Sequence, residues 1–478
     1  SVIFILIFYL YHAFKGNYYE IIFMDERLLI DDIYNVWLLE DSFNRFQNTE
    51  NNIYKSILIL LTELSYGGDL RYGRLWSNIF TLINGPFVFI SDRFVITSTR
   101  IVNILIFMVA SYLITKIFLQ GKFVYIGILI IYSIPGIELL NRFPKPEVLA
   151  LLFLAIGLNF FKKKRYELAL FWIGVSSFLK INFIVFLLIF SFYLFIRDDK
   201  KFKFLLKKGA IIVTSLLFVN PALIIPPIEV GGYKIPNFYI KYYNWILSQG
   251  SYGQDNFFSI KYFTKWAHTL NEFYKVPNNF QFFIITIIFL MLVVLIFKSY
   301  KRKEVITTLL LTSVLIYFLF YFFFIERQFY WYLTTPLIFL AIIFINEMVY
   351  KTNYFAVIIF LVFSIIGLTN NFYQHINEKT FTANYLYGYE DITTEDDAVM
   401  LTDTAVKIIS EIYLNNKHLE KNLVYWNPNL FMPRFIVTYE EAFTIREYWD
   451  SGNIEEILEI SDIYVTYIDF DRIDINSI

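Results

Sequence analysis

Runs of about twenty apolar residues, repeated along most of the chain, constrain this sequence more than any motif it carries. They fall at roughly 1–14, 99–119, 122–140, 144–161, 166–180, 181–197, 207–228, 280–297, 305–325, 328–348 and 353–370. A fold that buried them all in one core would need far more polar cover than the chain has. Its residues are 57% hydrophobic and 17% charged, against about 25% charged in an ordinary soluble domain. Lipid is the solvent that fits, and in lipid such runs must be helices that satisfy their own backbone. The fold class expected is therefore an α-helical polytopic membrane protein of about eleven spans. Ser1 already lies in an apolar run, so the first run reads as the remainder of a helix rather than of a cleaved signal peptide.

The loops between these runs alternate in charge. One set is short and cationic: Lys116 and Lys122; Lys162, Lys163, Lys164 and Arg165; Arg197, Lys200, Lys201, Lys203, Lys207 and Lys208; Lys298, Lys301, Arg302 and Lys303; and Lys351. Cytoplasmic loops are enriched in Lys and Arg, which assigns this set to the inside. The other set is then extracytoplasmic: 15–98, 141–144, the turn near Lys180, 229–279, 326–327 and the tail 371–478. The expected location is a prokaryotic plasma membrane. The domains expected are a transmembrane part, 1–370, and an extracytoplasmic tail, 371–478.

Within 15–98, the stripes Ile33, Val36, Trp37, Leu39 and Ile53, Ile57, Leu60, Leu61, Leu64 suit amphipathic helices at the membrane surface. Trp76–Ile90 is apolar too, but Asn84, Gly85 and Pro86 interrupt it. The alternative, a true span there, would put the Lys-rich loops outside. The tail alternates strand-like and helix-like segments: 398–402, 423–426, 435–438 and 463–468 as strands, 404–414 and 453–460 as helices. That pattern predicts a small α/β domain.

Polar residues gather at the predicted external helix ends. Asp25 and Glu26 are adjacent carboxylates between apolar neighbours, an arrangement that can raise one carboxyl toward a general base; the plain alternative is a helix cap and an ion pair with Arg27. Arg71 and Arg74 flank Gly73 beside Trp76, and two guanidinium groups suit phosphate, or they anchor the interface. Lys145 and Glu147 bracket Pro146 at a helix start, where an ionisable group at membrane depth is a functional candidate; the alternative pairs them with each other at the helix dipole. Lys180 sits between two apolar spans and faces headgroups or a bound anion. Arg327 and Tyr330 open the tenth span. A shared face follows from the topology and makes one pocket possible.

The loop 229–279 is rich in Tyr and Trp, among them Tyr239, Tyr242, Tyr243, Trp245 and Trp266, beside Asn244, Asp255, Asn256 and His268. Such platforms suit stacking on sugar rings, or an interfacial loop. Cysteine is absent and the four His are scattered, so thiolate chemistry is excluded and no His-based metal site is expected. A net charge of −1, with no long cationic arm, gives no sign of nucleic-acid binding. No phosphate-binding glycine loop or HExxH motif occurs in the tail.

This arrangement resembles the GT-C glycosyltransferases, polytopic enzymes that use a polyprenyl-phosphate-linked sugar as donor. Asp25-Glu26 stands where that family carries its acidic motif after the first span. Glu326-Arg327-Gln328-Phe329-Tyr330-Trp331-Tyr332-Leu333-Thr334-Thr335-Pro336 looks like the Arg-Tyr-x-x-Pro helix start of the protein mannosyltransferase and aminoarabinose transferase branch. Met24-Asp25-Glu26-Arg27, Arg71-Tyr72-Gly73-Arg74 and Lys145-Pro146-Glu147 also resemble bacterial surface-polysaccharide membrane proteins. The resemblance implies an inverting transfer of one sugar to an extracytoplasmic acceptor, in contact with membrane lipid. It implies Asp25 or Glu26 as base, with Arg71, Arg74, Lys180 and Arg327 on the donor phosphate. Lys145, Glu147 and Tyr330 would orient substrate, Glu147 holding a cation or a sugar hydroxyl. No second acidic pair like that of the oligosaccharyltransferases lies in 229–279 and no WWDYG-type motif in the tail, which argues against protein N-glycosylation and leaves a divalent cation optional. Two other readings stay open: a polysaccharide polymerase or ligase, against which the lack of Arg in 229–279 counts, and a flippase or transporter, which tends to show internal repeats.

Overall fold

A computed structural model describes residues 2–15, 29, 33, 74–90, 92–134, 136–198, 201–220, 229–230, 233–234, 278–324, 331–350, 354–376, 423–426, 434–436 and 463–466. The chain divides into two compact units, Ser1–Gly16 with Phe23–Phe372, and Asn17–Ile22 with Tyr373–Ile478.

The first unit is helical, and each predicted span overlaps a helix. These are α1 (Val2–Lys15), then after a short α2 (Arg74–Asn84) come α3 (Asp92–Phe118), α4 (Phe123–Ser133) and α5 (Ile137–Arg142). They are followed by α6 (Pro146–Lys162), α7 (Tyr166–Leu179), α8 (Ile184–Arg197) and α9 (Lys201–Val219). The last four are α10 (Asn278–Lys301), α11 (Val305–Phe324), α12 (Trp331–Tyr350) and α13 (Tyr354–Ile376). Among the described residues three helices are long and apolar enough to cross a membrane, Phe94–Phe118, Val305–Phe323 and Tyr332–Tyr350. Large apolar side chains stay exposed on successive turns: Leu105, Val109 and Tyr112 on α3; Ile316, Leu319 and Phe320 on α11; Val362, Phe363 and Ile366 on α13. Contiguous apolar surface of this kind marks a membrane-associated helical protein.

Two spans differ from the pattern read in the sequence. The run 122–140 is not one helix. Pro135 lacks an N–H and biases the residue before it toward extended backbone; Ile134 is extended and Gly136 has φ +89°. The helix therefore stops at Ser133 and resumes as α5. The run 207–228 is displaced: α9 starts at Lys201 and ends before Asn220-Pro221. Its lysines ride on the helix, where long stems can lie along apolar surface while the ammonium reaches a polar partner. Lys208 Nζ lies 2.9 Å from Glu167 on α7.

Broken helices leave carbonyls without i+4 donors, costly away from water. Two asparagines from other helices serve them. Asn371 of α13 donates through Nδ2 to Tyr132 O at 2.8 Å and Ile134 O at 3.1 Å, capping α4. Asn103 of α3 donates to Leu140 O, Asn141 O and Phe143 O at 2.8, 3.2 and 3.0 Å, gathering the end of α5 and the turn beyond it.

The Trp76–Ile90 segment holds all but the first two residues of the eleven-residue α2 and a 3-10 segment, Gly85–Phe89, with Pro86 in its first turn. Eleven helical residues reach about 16 Å, roughly half of the ~30 Å hydrocarbon layer. One side of α2 buries Arg74, Trp76, Ser77, Phe80, Thr81 and Asn84, while Leu82 and Ile83 are exposed. Farther back, Leu29 and Ile33 are helical and buried.

In the second large loop, β1 (Glu229–Val230) and β2 (Tyr233–Lys234) pair antiparallel. Gly231-Gly232 between them is the composition a two-residue hairpin turn needs. In the second unit, β3 (Leu423–Trp426) lies between β4 (Arg434–Ile436) and β5 (Ile463–Thr466), antiparallel to the first and parallel to the second. The strand predicted at 398–402 and the helices predicted at 404–414 and 453–460 lie outside the described residues.

Candidate functional site

Cross-links between helices sort their ends into two sets. Lys162 at the end of α6 donates to Ile117 O at the end of α3. Glu167, opening α7, meets Lys208 near the start of α9. Arg302, after α10, holds Glu347 near the end of α12 through both carboxylate oxygens at 2.6 and 2.8 Å. These are the Lys- and Arg-rich ends of the sequence. The opposite ends carry the candidate residues.

At those opposite ends, Pro146 occupies the first turn of α6, and Lys145 before it is extended, as a residue preceding proline should be. Glu147 follows in the first turn. The neighbouring helix α7 runs back antiparallel, tied to α6 by Ser176 Oγ, which donates to Ala150 O at 2.7 Å. Gly157 lets the two backbones close up: a Cβ there would stand 3.0 Å from Ile173 N and 3.1 Å from Ala169 O. The end of α7 thereby delivers Lys180 to Glu147. Lys180 Nζ lies 2.8 Å from Glu147 Oε1, with the two side chains only 7% and 3% exposed. The sequence offered Lys145 as the partner of Glu147, and headgroups or an anion as that of Lys180; the ion pair joins the two residues to each other. The remaining oxygen, Glu147 Oε2, is buried and has no hydrogen-bond partner among the described residues.

A tyrosine cluster adjoins the pair. Lys180 Nζ lies 5.4 Å from the centre of the Tyr332 ring, within cation–π range. The Tyr332 ring is 5.4 Å from that of Tyr321, which stacks on Tyr317 at 4.6 Å. Pro336 lies inside α12 and has no N–H for the carbonyl four residues earlier. That carbonyl, Tyr332 O, accepts instead from Tyr317 Oη at 3.0 Å. A sequence feature quoted for its resemblance, the proline of the tenth span, thus has a packing role visible in its partner on α11.

Of the predicted site residues, Glu147 and Lys180 are brought together. Lys145 is fully buried at the same turn. Arg74 is buried at the start of α2, and its Nη1 donates to Ser77 Oγ at 3.5 Å within that helix. Asp25, Glu26, Arg71, Arg327 and Tyr330 lie outside the described residues. Tyr317, Tyr321 and Asn103 were not anticipated, nor was Arg100, a buried cation on α3 whose guanidinium lies 5.4 Å from the Phe143 ring. Among the described residues no group of three or more His, Asp or Glu is placed to hold a metal ion.

The arrangement is a buried carboxylate paired with an ammonium, beside a cluster of tyrosine rings, at the end of a helical bundle. No family model matches the chain, and no curated protein or solved structure matches it.

Proposed function

We propose that the chain is an integral membrane glycosyltransferase that moves a sugar from a polyprenyl-phosphate donor to an extracytoplasmic acceptor. In this reading eleven helices cross the membrane, the Lys-rich turns are cytoplasmic, and the tail 371–478 is an extracytoplasmic α/β domain. The observation that supports it is the meeting of Glu147, Lys180 and Tyr332. They come from three separate polar clusters of the sequence and gather away from the cationic ends.

The acceptor hydroxyl gives its proton to Asp25 or Glu26 as its oxygen attacks the anomeric carbon from the face opposite the phosphate. The anomeric C–O bond breaks, and the polyprenyl phosphate leaves with the electron pair. Arg71, Arg74, Lys180 and Arg327 stabilise the charge that grows on it. Lys145, Glu147 and Tyr330 orient the substrates.

The test is label transfer from polyprenyl-phosphate sugars in membranes holding the protein, compared with the double variant Asp25→Asn/Glu26→Gln. Product with the wild type alone supports the transferase and its base. Equal product from both removes the base from the first loop. No product from any donor, with folded protein and acceptors present, rejects the transferase in favour of a flippase or transporter.

A further inference from the structure

We propose that the turns α6–α7 and α10–α11 are headgroup sites for an anionic phospholipid, with Lys164 and Lys303 meeting its phosphate. The proposal stands on the membrane-associated helical fold and does not depend on the transferase reading.

Both turns close in the same way. After α6, Arg165 N donates to Phe160 O and Lys164 N to Phe161 O, each at 2.9 Å. After α10, Glu304 N donates to Ser299 O and Lys303 N to Tyr300 O, each at 3.0 Å. This nested pair of bonds is a Schellman closure, which needs a left-handed residue where Lys164 and Lys303 stand. Both have φ +59°. Glycine takes that conformation freely, whereas a Cβ there is crowded by the following carbonyl. The α3–α4 turn, tied to the end of α6 by Lys162, uses Gly121 at φ +56°. No described atom lies within 4 Å of where a Cβ on Gly121 would stand, so conformation and not crowding is what glycine answers there.

Two of these three turns carry an exposed lysine instead. The helix dipole does not account for it. Lys162 already lies in the last turn of α6, and Lys298 and Lys301 in that of α10. A backbone cost is kept twice, at the same position of the same motif, and what it secures is a positive charge at the bundle's end.

The neighbours of these lysines point to the partner. Lys163 and Arg165 are exposed on either side of Lys164, and Glu167 draws in Lys207 and Lys208 from α9. Five cations there meet one carboxylate. Arg197 and Asp198, at the end of α8, offset each other. Next to the cations the surface turns apolar. Leu168 on α7 is exposed, and so are Leu206 and Val213, two turns apart on one face of α9. At the second turn Phe297 and Tyr300 are exposed beside Lys301 and Lys303. The ligand that fits carries a phosphate next to a hydrocarbon tail, and each cation near such headgroups adds to the attraction. A nucleic acid or an acidic peptide would match the charge and leave the apolar flank in water.

The experiment places the full chain in phosphatidylcholine nanodiscs and replaces part of that lipid with phosphatidylglycerol. The melting temperature is followed against the phosphatidylglycerol fraction. For the wild type it should rise, and the rise should shrink in high salt. In Lys164→Gly/Lys303→Gly the fraction giving half the rise should grow about fivefold or more, the factor for losing one cation near an anionic surface. In phosphatidylcholine alone that variant should melt at or above the wild type, because glycine relieves the left-handed backbone. Lys164→Arg/Lys303→Arg keeps both charges and should follow the wild type. The proposal is overturned if phosphatidylglycerol leaves the wild-type melt where phosphatidylcholine sets it, or if the glycine variant needs less than about twofold more of it. It is overturned as well if the glycine variant melts below wild type in phosphatidylcholine, which would make the lysines part of the fold. An equal rise from inorganic phosphate or a short RNA, added to phosphatidylcholine discs, would also overturn it, since the site would then read charge without a tail.

Discussion

Replacing Lys180 by Met should be among the most damaging single changes in the helical unit. At 2.8 Å, an effective dielectric near 20 gives about 6 kcal/mol of Coulomb attraction. Most of that repays the desolvation of two groups that are 7% and 3% exposed, so it is not the net worth of the pair. Removing one partner is different, because it strands the other. Glu147 would then keep two buried oxygens without a cation, at a cost of about 3–5 kcal/mol. That is a fall of roughly a hundredfold to several thousandfold in the folded-to-unfolded ratio. Glu147→Gln alone should also destabilise, by removing the anion 2.8 Å from the buried ammonium. The double variant Lys180→Met/Glu147→Gln removes both charges and should return to within about 2 kcal/mol of wild type. The assay is equilibrium unfolding in mixed micelles, with helicity followed by circular dichroism, across the four corners of the cycle. The reasoning fails if the double variant equals the sum of the singles to within about 0.5 kcal/mol, as independent sites do.

Asn103→Ala should cost about 1–3 kcal/mol by stripping the donor from three carbonyls; Asn103→Asp should be no better, because an ionised carboxylate cannot donate, and thermal melts of the two variants check this. Tyr317→Phe keeps the ring but leaves Tyr332 O without its hydroxyl donor; a loss of about 1 kcal/mol or more in the same melts is expected. Gly157→Ala should destabilise by about 1–3 kcal/mol, since the atoms its Cβ meets include backbone of α7 that has no rotamer to retreat into; unfolding in mixed micelles that leaves it equal to wild type would reject the close approach of α6 and α7.

Helix positions were legible because lipid imposes one rule on every span, and because Lys-rich turns mark helix ends in the sequence itself. Lys162, Lys208 and Arg302 each tie one helix end to another helix. What was misread is local chemistry inside an apolar run. Pro135-Gly136 breaks 122–140, yet average apolarity reads straight through it. The break is sustained by Asn371, whose link to Tyr132 and Ile134 no local pattern could reveal. The charged residues were legible one by one and not in their pairing. Glu147 stood out as an ionisable group at membrane depth, and Lys180 as a cation at a junction between two apolar spans. That they neutralise one another depends on α6 and α7 running back to back, which small residues such as Gly157 and Ser176 allow. Tyr317 and Tyr321 were hidden by abundance: among 37 tyrosines, two on an apolar helix carry no signal until Pro336 exposes the carbonyl that one of them serves.

The Asn371 link also sets a clock on biosynthesis. The donor and the Tyr132 carbonyl it serves are 239 residues apart. At 5–20 residues per second, the ribosome reaches Asn371 roughly 10–50 s after it passes Tyr132. Through that interval the end of α4 must borrow another donor, whether water, a headgroup or an insertion chaperone. A nascent chain arrested before α13 emerges would expose this debt, and its α4–α5 junction should be the point most open to hydrogen exchange in the inserted intermediate.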